Sequence, residues 1–282
     1  MTAITYPKVP PFDKVRAKLG AIANTPAVSS MINFLQQRQS QGAREAPLPD
    51  LSVWATYIQE STRSVEREAL FPVIDIFRAT LVDPRVSGWI AKEHEHKTIS
   101  VLLHLVSDAP EAGTEPVPYA LRLVTLQALC NLFSTPLAPA VLCTTPFTSM
   151  LIQAIISSLL DIAHVAMRVS ASSLAFNLAT YIQKQRSTQN QEVLEGGELV
   201  ELFVGILEAV KTEEEDTGGL KALLVAGLLT VYCAPEGAEV LDVIDALGAG
   251  EVVKEKGESE VGRRLKVRGL CEEIGRVLSW KP

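Results

Sequence analysis

Aromatic residues are scarce in this sequence, at 6% of 282 residues, while hydrophobic residues reach 47%. A core so rich in Leu, Val, Ile and Ala and so poor in rings suits stacked helices and argues against a β-sandwich. Cysteine is rarer still: Cys130, Cys143, Cys233 and Cys271 are the full set. No two stand at metal-ligand spacing and each falls in an apolar stretch. That excludes a disulfide scaffold or zinc ribbon and reads as buried, reduced thiols in a cytoplasmic or nuclear compartment. A basic surplus is missing as well. The net charge of −7 excludes a general nucleic-acid or anionic-membrane binder. The longest apolar run, 150–167, is interrupted by Gln153, Asp161 and His164, so it reads as buried helix and not as a membrane span. The first twenty residues lack the apolar centre of a secretory signal.

Catalytic signatures are also wanting. There is no G-x-x-x-x-G-K-[ST] phosphate loop and no G-x-S-x-G elbow, and no cysteine stands with a histidine in a context that suggests a nucleophile. The stretch EHEH at 93–96 is the one metal candidate. Two residues apart, His94 and His96 point to different sides of a helix, and a solvated helix start is the better reading. His104 and His164, alone among apolar neighbours, are expected in the interior or at its margin. The acidic run Glu213, Glu214, Glu215, Asp216 reads as a solvated loop between helices. No catalytic residue, metal or cofactor is expected, and the chain does not read as an enzyme.

What the sequence does contain is helical punctuation. Phe12 and Asp13 open a stretch with Val15, Leu19 and Ile22 at helical spacing, and Pro26 opens another with Val28, Ile32 and Leu35. Residues 1–10 form an extended N-terminal segment and 39–49 a polar linker loop. Asp50 is a suitable N-cap for the helix that follows, with Leu51, Trp54 and Ile58 on one face. In REALFPVIDIFRATLVD, Pro72 is expected to break or kink the helix unless it occupies a first turn. Beyond it, Ile74, Phe77 and Leu81 face the core with Arg78 beside them. Further helices are expected at 84–92, 97–107, 117–134, 146–158, 166–187, 197–211, 217–233, 236–247 and 261–280. The connecting loops are the Pro- and Gly-bearing stretches 110–118, 134–139 and 213–219.

Repetition organises these helices. LQALCNLF (126–133) resembles SSLAFNLA (172–179), and Asn131 and Asn177 stand 46 residues apart. That lies within the period of about 40–47 residues of armadillo and HEAT units. KALLVAGLLTV (221–231) places Gly227 a further 50 residues on. Helices this apolar must be sandwiched between neighbours, and stacked repeats present one concave groove. The pattern therefore predicts an all-α, armadillo/HEAT-like right-handed helical repeat superhelix forming a single domain over 1–282. An Asn side chain carries a donor and an acceptor, so Asn131 and Asn177 suit either of two tasks. They can grip the backbone of an extended peptide in both directions, or bridge buried backbone inside the core.

In this order, LFPVIDIFRATLVDPRVS (70–87), LQALCNLF, VSASSLAFNLA (169–179), GLKALLVAGLLTV (219–231) and ALGAGEVVKEKGES (246–259) resemble the PUL domain. This is the armadillo-like module of the phospholipase-activating-protein and ubiquitin-fusion-degradation family. The last of these stretches is similar to the family's loop before its final helix, here 261–278. The resemblance spans nearly the whole chain and implies a fold of about six repeats. It also implies a monomeric adaptor that docks the acidic C-terminal tail of the valosin-containing AAA ATPase. On this resemblance the groove residues are Arg78, Asn131, Asn177 and Lys221, with Arg122, Gln127 and Arg168 as secondary candidates. Lys221 stands where relatives commonly show arginine and lacks its planar fork; Gln127 stands where some show arginine. Arg78 is expected to be exposed, so that Arg78→Asp would abolish tail binding and spare the fold. The alternative is a helical scaffold or self-association module whose Arg78 and Lys221 are scattered or held in intrachain pairs.

Overall fold

The computed structural model describes all residues except 43, 107–116, 216–218, 233, 236 and 279–282. Cys233, Asp216 and most of the 110–118 loop thus lie outside the described residues. Contacts divide the chain into two compact units: Ile4–Met150, and the chain from Leu151 onward together with Met1–Ala3. Every regular element among the described residues is helical, without a strand.

The first unit holds α1 (Phe12–Leu19), α2 (Pro26–Gln41), α3 (Leu51–Ser64), α4 (Arg67–Thr80), α5 (Pro84–Ala91), α6 (Lys97–Val106), α7 (Tyr119–Leu132) and α8 (Leu137–Leu142). Helix α9 (Phe147–Leu159) carries the boundary between the units. The second unit holds α10 (Val165–Gln189), α11 (Gly196–Thr212), α12 (Gly219–Val231), α13 (Glu239–Ala246), α14 (Ala249–Glu258), α15 (Glu260–Arg264) and α16 (Arg268–Leu278).

The helix starts follow local chemistry. Asp50 caps α3 by accepting from the Ser52 N–H at 3.0 Å, and Asp83 caps α5 by accepting from the Arg85 N–H at 2.9 Å. Pro26 and Pro84 occupy the first turns of α2 and α5, where no intrahelical donor is needed. Pro72 sits inside α4 and does not break it. Burial of Leu70, Val73, Ile74, Ile76 and Phe77 around it outweighs the bond lost at the proline.

Four boundaries differ from expectation. Residues 39–41 continue α2, so the linker is shorter at its start. Residues 137–142 form α8 and not a loop, because Pro139 falls in a first turn, where a missing N–H costs nothing. The 246–259 stretch is not a loop but mostly α14: Val253 is buried, and Gly257 lets α14 approach α16 so closely that an added Cβ would lie 2.9 Å from that of Cys271. The expected 261–280 helix is divided into α15 and α16 at Lys266, whose φ of 55° lets the Val267 N–H reach back to the Gly262 carbonyl at 3.0 Å.

Helix C-termini leave carbonyls short of intrahelical donors, and here side chains from other segments of the chain reach several of them. In the first unit, where α4 packs on α7, Asn131 donates to the Arg78 carbonyl and Ser134 to that of Leu81, both at 2.8 Å. In the second unit, α10 packs on α12 and Arg186 donates to the Thr230 carbonyl at 2.7 Å. Lys256 on α14 likewise donates to Lys211 and Glu213 at the end of α11, at 3.0 and 2.9 Å. Burial pushes the Lys256 ammonium below its ordinary pKa, against the pull of Glu213 and Glu214.

Candidate peptide-binding site

The last turn of α4 and the last turns of α7 bring Arg78 and Asn131 together over an extended stretch of backbone. Asn131 is fully buried. Its Oδ1 accepts from the Tyr6 N–H at 2.6 Å, and its Nδ2 donates to the Tyr6 carbonyl at 3.1 Å. Arg78, only 5% exposed, donates Nη1 to the same Tyr6 carbonyl and Nη2 to that of Lys8 at 2.8 Å. Asp75, one turn earlier, holds the guanidinium in place, accepting from Nε at 2.8 Å and lying 2.7 Å from Nη2. Two side chains thus read the main chain of two residues, using donors and an acceptor together.

This corrects the expectation of an exposed Arg78. The arginine is buried in an intrachain pair, and Arg78→Asp would place a second carboxylate beside Asp75, so it would not spare the fold. Of the two tasks left open for Asn131, the contacts show the bridging of backbone within the chain. It bridges the buried Arg78 carbonyl, and it grips an extended segment that belongs to the chain itself. Residues 1–11 carry no helix.

The remaining candidates stand as follows. Gln127 is half-buried one turn before Asn131, and Arg122 is half-buried near the start of α7. Asn177 is buried midway along α10, in the second unit. Lys221, in the first turn of α12, is exposed. Gly227 lets α12 close on α11, where an added Cβ would lie 3.3 Å from Ile206 Cγ2. Arg168 is bound to Glu213 through Nε at 2.9 Å and Nη2 at 3.2 Å, and it also donates to the Asp161 carbonyl at 3.0 Å. The hydrogen bonds that Arg168 donates to Glu213, and then the charge of that carboxylate, raise the Arg168 pKa. Glu213, 7% exposed, is therefore no part of a solvated loop; Glu214 and Glu215 are exposed.

The histidines and cysteines bear on chemistry. His94 and Glu95 are exposed in a 3-10 turn, and His96 packs edge-on to Phe147. His104 is exposed and not interior, bonded to the Ser100 carbonyl one turn back, while His164 is half-buried beside Asp161. Cys130 and Cys271 are buried and Cys143 half-buried; desolvation pushes the Cys130 and Cys271 thiols up and away from reactive thiolate. No cluster of metal-ligating side chains exists among the described residues, and none of the described helices is long and apolar enough to cross a membrane.

Sequence reasoning missed Tyr6, Lys8 and Asp75. The signals were present: Pro7, Pro10 and Pro11 hold the preceding residues extended, and Asp75 stands one helical turn before Arg78.

Stacked helices that share their end caps, with a side-chain cradle for extended backbone, define a helical-repeat protein-interaction module. The chain belongs to the PUL domain family, whose model matches residues 1–273, N-terminal segment included. That family is a helical protein-interaction module and not a known catalytic one. Comparison with curated proteins returns no match.

Proposed function

We propose that this chain is a non-catalytic adaptor that docks the acidic C-terminal tail of the valosin-containing AAA ATPase, as a monomer serving ubiquitin-dependent protein handling in the cytoplasm or nucleus. The observation that carries the reading is the two-way bond between Asn131 and the Tyr6 main chain, which is the chemistry needed to hold an extended tail. Arg78 would meet a tail only by exchanging the Tyr6 and Lys8 carbonyls for those of the ligand. Lys221, exposed at the start of α12, is proposed to attract a tail carboxylate. Asn177 is retained as a proposed contact on the family resemblance.

A labelled peptide of the ATPase's last ten or so residues, titrated against the chain, tests this. Binding in about the micromolar range, weakened by salt, is expected for a short peptide with few anchors. Absence of salt-sensitive binding would return the chain to the second reading, a helical scaffold. The intrachain Arg78–Asp75 pair favours that second reading.

A further inference from the structure

The segment seated in the Arg78–Asn131 cradle is attached differently from the helices around it. Residues 4–8 form neither a helix nor a paired strand; Ile4, Thr5 and Tyr6 are half-buried, Pro7 and Lys8 exposed. Four hydrogen bonds from two side chains grip main-chain atoms of Tyr6 and Lys8. None of the four uses a side chain of the segment, so these bonds recognise backbone.

Proline prepares the segment for that grip. Pro7 biases Tyr6 to an extended conformation, Pro10 does so for Val9, and Pro11 for Pro10. A chain already extended loses little freedom on binding. The Tyr6 carbonyl, on the amide joined to Pro7, accepts from both Asn131 and Arg78. Helices α4 and α7 pack directly on each other, so release of the segment would be a local opening and not an unfolding.

We infer that residues 4–8 are a displaceable internal ligand, and that the Arg78–Asn131 cradle is a binding site for an extended, X-Pro-containing peptide supplied in trans. The inference deepens the tail-docking reading, with which it shares Arg78 and Asn131, but its test uses no ATPase peptide. A tail that fails to bind would sink that reading and leave this one standing.

The probe is a fluorescent peptide copying residues 3–9, AITYPKV, blocked at both ends and titrated against the full chain and its Tyr6→Pro variant. The substitution removes the N–H that Tyr6 gives to Asn131 and leaves the cradle's own side chains intact. The variant is expected to bind the peptide at least about tenfold tighter than the wild type. That is the factor by which an internal competitor closed nine-tenths of the time lowers apparent affinity. Adding Asn131→Ala to the variant should remove the gain. Equal affinity for both chains, or no binding to a Tyr6→Pro chain with unchanged helical circular dichroism, overturns the inference. Should Tyr6→Pro not fold, hydrogen exchange on the wild type decides. The Tyr6 amide is expected to exchange faster than those of Ile76 and Leu129 and with little dependence on denaturant. Exchange of Tyr6 in step with those core amides would make the segment a permanent part of the fold and overturn the inference.

Discussion

The Asn131 side-chain amide lies 2.8 Å from the carbonyl of Arg78 while its oxygen accepts the Tyr6 N–H, so one buried residue both closes the end of α4 and seats the N-terminal segment. Asn131→Ala leaves the Arg78 carbonyl buried without this donor and frees Tyr6 on one side. A loss of about 1–3 kcal/mol in urea unfolding is expected, together with faster tryptic cleavage after Lys8. An unchanged urea midpoint would mean that water replaces the carboxamide at no cost.

Asp83 combines two tasks that substitution can separate. It is 1% exposed, caps α5, and is paired with Arg38 and with Arg85, the latter at 2.7 Å. Burial alone would raise its pKa; the hydrogen bonds from the Arg85 side chain and backbone, with the charges of Arg38 and Arg85, outweigh it and hold the carboxyl below its ordinary 3.8. The stability this adds is present above pH 3.8 and is lost as pH falls through the depressed folded value. Asp83→Asn keeps a capping oxygen but no charge, so it should cost about 1–3 kcal/mol at pH 7, between surface and buried pairs. It should also flatten the acid limb of a stability–pH profile. Asp83→Ala removes the cap too and should cost about 1 kcal/mol more. Equal losses for the two variants would show that the cap contributes nothing.

The helices were legible because their signals are local: an aspartate before an apolar face at Asp50, a proline in a first turn at Pro26, and the 46-residue echo of Asn131 in Asn177. Boundaries were lost where a signal has two meanings. The 246–259 stretch resembles the family's loop, yet its Gly257 serves the close approach of α14 to α16. Lys266 ends α15 in a left-handed conformation more often given to glycine. The site was half legible. Asn131 advertised two-way backbone recognition, but the segment it holds comes from 125 residues away, and no periodicity reports a contact at that range. Arg78 is expected in an exposed groove on the family resemblance. Only packing reveals Asp75 and the Tyr6 carbonyl around it.

Lys221 offers the cleanest separation of binding from folding. It is exposed in the first turn of α12, where the helix dipole favours a carboxylate over an ammonium. Lys221→Glu should therefore leave the melting temperature unchanged or slightly raised, within about 0.5 kcal/mol of wild type. The same change replaces an attraction for an acidic tail by a repulsion. The tail peptide should bind roughly tenfold more weakly, with the difference shrinking as salt rises from low to physiological ionic strength. Lys221→Arg should strengthen binding, because a planar guanidinium can hold a carboxylate through two bonds where an ammonium offers a point charge. Isothermal titration of the three chains at two salt concentrations checks both directions. If Lys221→Glu binds the tail as tightly as wild type at low salt, Lys221 makes no contact with it.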